Sequence, residues 1–218
     1  MRTNNEVLIV PIDEFGLAVA AELPAPSLRA SVVIAEWEQI VEQAEDCNGA
    51  ITIVISARPT PIIDEQMNQL AFCFGGHFLR VRLDSFRLRI GPVVGPKHGV
   101  CWQCCRLRER QHSISPVFSE AREKFYRLAT TCVSGWVPAA TRIAAYRISR
   151  LLHKLLEDIP CGGEFWEINL LNSAVQSGYA LGVDGCPLCG LQIPPAERTT
   201  AYLAAALERI LEEASLSR

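Results

Sequence analysis

The sequence predicts an α/β protein: a mostly parallel sheet with helices on both faces, clipped by a four-cysteine zinc site. Three observations lead there. Over residues 1–90, short β-branched runs alternate with helical patterns. The strand runs are apolar at successive positions, as in strands covered on both faces. Two Cys-x-x-Cys pairs then stand far apart in the second half of the chain. A chain of 218 residues is long enough to bury one sizeable core. The sequence therefore divides into a first half, 1–90, and a zinc-clipped continuation of the same domain, 91–218.

The first strand is 7–10 (Val7, Leu8, Ile9, Val10), followed by an alanine-rich helix over 15–23 that Pro24 and Pro26 end. Residues 30–34 give a second strand and 36–45 a second helix. Asn48-Gly49 breaks the chain before a third strand, 50–55, and a third helix, 62–74, closed by Gly75-Gly76. Residues 78–83 and 86–90 form an antiparallel pair around an Asp84-Ser85 turn. Gly91-Pro92, Gly95-Pro96 and Gly99 make a stiff loop that delivers the first cysteine pair. Ser115-Pro116 opens a helix in the N-cap and N1 pattern. Residues 135–138 lead into another, whose Ala144, Ala145, Ile148, Leu151, Leu152, Leu155 and Leu156 form a core-facing stripe. Residues 164–171 alternate as a strand. An amphipathic helix over 197–214, with Leu203, Leu207, Ile210 and Leu211 inward, closes the chain.

Composition excludes several classes. A net charge of −3 lacks the basic excess of general nucleic-acid binders. No run approaches the 18 or so apolar residues of a membrane span. The first six residues lack a secretory apolar segment. Nine cysteines without an export signal point to a reducing, cytoplasmic setting, where paired cysteines bind metal more often than they form disulfides.

The two pairs are Cys101-Trp102-Gln103-Cys104 and Cys186-Pro187-Leu188-Cys189. Each knuckle turns two thiolates toward one point about 2.3 Å from a metal, and two knuckles complete a tetrahedron. With 81 residues between Cys104 and Cys186, the site is a clip joining mid-chain to its end, unlike a compact zinc finger. Four thiolates leave no open position, so the zinc would hold structure. The competing reading is two redox or merely buried pairs, and thioredoxin-type motifs sit elsewhere, at the first strand–helix turn. His98 and His112 flank the first knuckle and are alternative ligands. Cys47, Cys73, Cys105, Cys132 and Cys161 read as small buried hydrophobes.

Alternating strands and helices invite a dinucleotide fingerprint, Gly-x-Gly-x-x-Gly, after the first strand. The sequence there is Pro11-Ile12-Asp13-Glu14-Phe15-Gly16. Only Gly16 remains, Pro11 removes an amide donor, and Asp13 and Glu14 bring negative charge where phosphate would rest. Glu36, at the end of the second strand, could reach a ribose but equally suits a helix start. The half is Rossmann-like with a degenerate nucleotide turn, and no nucleotide is expected.

Residues 90–96 (Ile-Gly-Pro-Val-Val-Gly-Pro), the Cys101–Cys104 knuckle, the basic stretch from Arg106 to Arg110, and Cys186-Pro187-Leu188-Cys189-Gly190 together resemble the E1/ThiF-like superfamily. The likeness is to ocin-ThiF-like or azoline cyclodehydratase C-type proteins, and it extends over most of the chain. The resemblance implies a non-catalytic accessory subunit of a YcaO-dependent complex that makes azoline heterocycles on ribosomal precursor peptides. The YcaO partner would bind ATP, and the E1-like subunit would present the peptide leader. In that family an N-terminal winged-helix module captures the leader. This chain begins directly on the sheet, which implies pairing with another E1-like copy, a homodimer, or peptide binding by another route. Two rivals remain: an active ATP-dependent E1-like adenylating enzyme, and a zinc-stabilised nucleic-acid-binding module, which the charge disfavours. No membrane partner is expected.

One feature lies outside that pattern. A two-residue turn at Asp84-Ser85 places Arg82 opposite Arg87 and Arg80 opposite Arg89, with Val81, Leu83, Phe86 and Leu88 facing the core. Four like charges on one hairpin face repel. The face is either solvated and neutralised by the chain's own carboxylates or a docking surface for an acidic peptide or partner subunit. Arg147, Arg150 and Lys154 form a second basic stripe, on a helix.

Overall fold

Apolar runs that need cover on both faces decide the architecture. The computed structural model describes residues 6–23, 30–43, 48–128 and 135–190. Strands β1 (Glu6–Pro11), β2 (Ser31–Ile34) and β3 (Ile51–Ser56) alternate with helices α1 (Glu14–Glu22), α2 (Trp37–Glu42) and α3 (Pro61–Cys73). Then come β4 (His77–Asp84), β5 (Arg87–Val94), α4 (Trp102–Gln111), α5 (Pro116–Leu128), α6 (Pro138–Leu156), β6 (Glu164–Asn169) and β7 (Val175–Tyr179). The strands form one sheet in the order β2-β1-β3-β4-β5-β6-β7. Pairing is parallel from β2 to β4 and antiparallel from β4 to β7.

Each face has its own core. On one, Phe15 and Val19 of α1 and Ala144, Ile148, Leu151 and Leu152 of α6 pack with Ile9, Ile53 and Val81 of the sheet. The stripe predicted for the long helix is the one buried. Each such side chain contributes roughly 1.5–3 kcal/mol relative to exposure. On the other face, Ile40 of α2 and Ile63 and Met67 of α3 pack with Leu8, Val10, Val54 and Phe78. The four cysteines belong to this second core, so the clip is built into the sheet's cover.

Several expectations differ in detail. The hairpin turns at Ser85-Phe86, with Ser85 left-handed at φ 56°. Its register therefore sets Asp84 opposite Arg87, Leu83 opposite Leu88 and Arg82 opposite Arg89. The left-handed Ser85 sets the turn one residue later; this register places Asp84 across from Arg87, while Arg82 faces Arg89, whose charge Glu167 and Glu109 meet. Phe86 consequently sits in the turn and is exposed. β2 is an edge strand and mostly exposed, and Cys73 is exposed at the end of α3. Strand β7 had no signal: Val-Gln-Ser-Gly-Tyr is too short and polar to read. The helix expected over 197–214, Cys47 and Cys132 lie outside the described residues.

Candidate functional site

The first knuckle is placed by α3. Cys101 is the N-cap of α4 but makes no side-chain capping bond. Instead, the Trp102 N–H donates to Asn68 Oδ1 of α3 at 2.9 Å, satisfying one of the orphan donors of a helix start. Cys104 then points back one turn later. The second knuckle is wound by Cys186 N–H donating to Val183 O at 3.1 Å and Gly190 N–H to Cys186 O at 2.9 Å. The two meet because Gly182 lies against the Gly99 carbonyl, which any Cβ would strike.

All four Sγ atoms lie within 4.8 Å of one another, and all four residues are buried. Cys101 Sγ is 3.6 Å from Cys104 Sγ and 3.7 Å from Cys186 Sγ, and Cys104 Sγ is 3.3 Å from Cys189 Sγ. A tetrahedral site with metal–sulfur bonds of about 2.3 Å has edges of about 3.8 Å, so the donor set fits a metal ion. Disulfide-bonded sulfurs would sit at about 2.0 Å. Burial pushes the Cys101 thiol up to about 12 and raises Cys189 as well. At Cys186 burial opposes the charge too, but N–H donors of Cys189 and Leu188 and the neighbouring thiols outweigh it, bringing that thiol down to about 6. The Val183 N–H donates to Cys104 Sγ at 3.2 Å. His98 is engaged elsewhere, its Nε2 lying 2.9 Å from Nδ1 of His77. Among the described residues the grouping is the four cysteines alone.

At the degenerate nucleotide turn, Asp13 is the N-cap of α1. Its Oδ1 accepts from the Gly16 N–H at 3.0 Å and its Oδ2 from the Ala57 N–H, beyond β3, at 2.6 Å. A helix start is an anion site, and here the chain's own carboxylate fills it. Gly16 is required for a second reason: a Cβ there would meet Ile55 O at 2.6 Å and Pro11 Cα at 2.9 Å. Glu36 is the N-cap of α2, again without a side-chain capping bond.

The four hairpin arginines do share a face, and α4 and α5 cover it. Together they line a cavity of about 750 Å³. Arg80 and Arg82 are buried, Arg89 is half-buried and Arg87 is exposed. Carboxylates distant in sequence partner them. Arg80 pairs with Asp64 of α3 at 3.1 Å and Glu109 of α4 at 3.5 Å. Arg89 pairs with Glu167 at 2.6 Å and Glu109 at 3.2 Å, and Arg87 with Glu167 at 3.5 Å. In the second basic stripe, Arg147 stacks 3.6 Å over Trp166, Lys154 pairs with Glu164 at 2.6 Å, and Arg150 is exposed. Asn68 and Asp64 were missed as site-building residues. A polar side chain at the i and i+4 positions of a helix otherwise facing the core was the available signal.

No protein-family profile matches the sequence, and no curated protein matches it. Solved structures do. A heterocyclase in complex with substrate and cofactor superposes with a TM-score of 0.62 at 19% identity, over 86% of this chain and 26% of that one. The heterocyclase TruD gives 0.61 at 13% identity, over 86% and 28%. The E. coli microcin synthetase McbBCD complex gives 0.59 at 14% identity, over 84% and 67%. The chain shares its fold with these heterocyclases and with the microcin synthetase complex. The chain spans roughly a quarter of the length of the two heterocyclases. The microcin C7 biosynthetic enzyme MccB, in complex with N-formylated MccA, shares the fold at 12% identity and a TM-score of 0.58. Among the described residues no helix is long and apolar enough to cross a membrane.

Proposed function

We propose that this chain is a non-catalytic, cytoplasmic accessory subunit of a YcaO-dependent complex that forms azoline heterocycles on ribosomal precursor peptides. In this reading it helps present the peptide, and Arg87 and Arg89 contribute to the contact with the YcaO partner or with a second E1-like copy. The four cysteines hold one zinc, a closed thiolate site that stabilises the fold and leaves no position for substrate. Cys101, Cys104, Cys186 and Cys189 are the ligands.

The observation that carries the non-catalytic part is Asp13, whose carboxylate takes the Gly16 and Ala57 N–H donors. A polyphosphate would have to displace it and accept its negative charge as a neighbour. The shared fold with heterocyclases and a microcin synthetase complex supports the choice of chemistry. The likeness to MccB, a microcin C7 biosynthetic enzyme solved in complex with N-formylated MccA, favours one rival, an active ATP-dependent E1-like adenylating enzyme. Pyrophosphate exchange with ATP and magnesium separates the two. The accessory reading expects none with any candidate peptide, together with co-purification of a YcaO-type subunit. Exchange by the isolated chain overturns it.

A further inference from the structure

We propose that the cavity between the β4–β5 hairpin and α4–α5 binds an oxyanion, a carboxylate or phosphate group, seated on the guanidinium of Arg82. This site goes beyond the accessory-subunit reading and does not depend on it.

The argument starts from which cations in the cavity are already matched. Its carboxylates are all engaged. Asp64 holds Arg80, Glu109 is shared by Arg80 and Arg89, Glu167 by Arg87 and Arg89, and Glu123 binds Arg106 at 2.5 Å and Arg127 at 3.2 Å. Of the two buried arginines in the wall, Arg80 and Arg82, the second is the exception. It is only 4% exposed, yet its one ion-pair contact among the described residues is Asp84 at 3.7 Å. That carboxylate lies closer to Arg122, at 2.7 Å. The Nε of Arg82 is buried with no hydrogen-bond partner, and so are the Nε atoms of Arg80 and Arg106 in the same wall. Arg80 and Arg89 add repulsion. Burial and that repulsion outweigh Glu109 and Asp84 and bring Arg82 down to about 10.

A buried cation left under-paired is costly to the fold. A water could occupy Nε but would leave the charge unmatched. A carboxylate or phosphate group matches both, because the guanidinium fork offers parallel N–H donors at the spacing of two of its oxygens. The cavity's 750 Å³ exceeds what a lone anion needs. Its wall includes Trp102 and Phe118, so an anionic group carried on a larger body also fits. The two sources of that group are a free inorganic anion and the side chain of an acidic peptide.

The test is calorimetric titration of the full chain with inorganic phosphate and, in a second arm, with a short oligoglutamate peptide. Ionic strength is held constant with chloride, and Trp fluorescence is read in parallel. Saturable binding in either arm is expected, phosphate alone marking a free anion and peptide alone a side chain. Arg82→Met should weaken it roughly 10- to 100-fold, as the loss of charge-assisted bonds implies. The anion-free melting temperature of this variant should stay level or rise, because it replaces an under-paired buried charge by an apolar chain. If Arg82→Met does not fold, Arg82→Lys, which keeps charge but loses the fork, decides by weakening binding several-fold. Absence of binding in both arms, or wild-type affinity in the folded Arg82 variant, overturns the proposal. Neither result bears on the accessory-subunit reading, since no partner is present.

Discussion

Two places in this molecule treat charge in opposite ways. At the end of β1 a helix start that could cradle an anion is filled by Asp13, whose two oxygens meet Gly16 and Ala57 N–H groups. Near the end of β4 a buried guanidinium, Arg82, reaches among the described residues only a carboxylate already taken by Arg122. The first site is closed by the chain itself, and the second is left short of an anion. Asp13 lies just past the carboxyl end of β1 and Arg82 near that of β4, at the end of the parallel strands where α/β sheets bind ligands. The difference teaches that a degenerate sequence motif does not make a sheet inert. One anion site has been sealed internally while another is lined with excess cations.

The change expected to break this contrast most severely is Cys186→Ser. The clip anchors α4, whose Glu109 and Arg106 wall the arginine cavity, and it does not touch Asp13. Losing the metal should cost on the order of 4 kcal/mol or more, because closed thiolate sites contribute folding energy directly. Zinc content by mass spectrometry should fall from about one per chain to near zero. Hydrogen exchange should rise first in α4 and β7, and later in β1 and α1. Full stability in freshly purified metal-free protein would remove the clip from this account.

Next in size is Asp64→Ala. It strips the buried Arg80 of its 3.1 Å partner, and breaking one side of a buried pair costs about 3–5 kcal/mol. Chemical denaturation measures it. A loss below about 1 kcal/mol, the scale of an exposed pair, would mean that Arg80 finds other compensation in the cavity. At the opposite site, Asp13→Ala removes an N-cap and a bond to the next loop. The expected cost is about 1–2 kcal/mol, with Asp13→Asn in between. A neutral outcome would show that the carboxylate is not what closes the turn.

Why some of this was legible in the sequence follows from the range of each interaction. The strands of the parallel half and the stripe on α6 declare themselves through periodicity, which is local. The cysteine knuckles declare themselves because two identical spacings 81 residues apart have few other uses, and the structure does gather their sulfurs. The hairpin turn falls one residue later than expected, and the register therefore shifts by two, because the turn depends on Ser85 adopting a left-handed conformation. The partners of the arginines were invisible for a different reason. Asp64, Glu109 and Glu167 reach them from α3, α4 and β6, and no local pattern records such pairings. Asp13 was seen as an obstacle to phosphate, but its bond to Ala57 needed the fold.

The smallest expected effect is a pH dependence that lies between the two regions. His77 opens β4, its Nδ1 2.9 Å from His98 Nε2, and burial, then His98 and Lys97, lower its pKa from 6.5 to about 4. In the fold the ring therefore stays neutral where the unfolded chain would take up a proton. Between pH 6.5 and pH 4 the unfolded state binds more protons, so stability should fall as pH falls through that window and be unaffected by this ring above it. The ring is partly exposed, which limits the effect to on the order of 1 kcal/mol. Thiolate ligands also take up protons in acid, so wild type alone cannot isolate the ring. The comparison is with His77→Asn at saturating zinc: the variant should lose less stability than wild type between pH 6.5 and pH 4. Parallel stability curves for the two proteins across the window would show that the His77–His98 pair does not couple folding to pH.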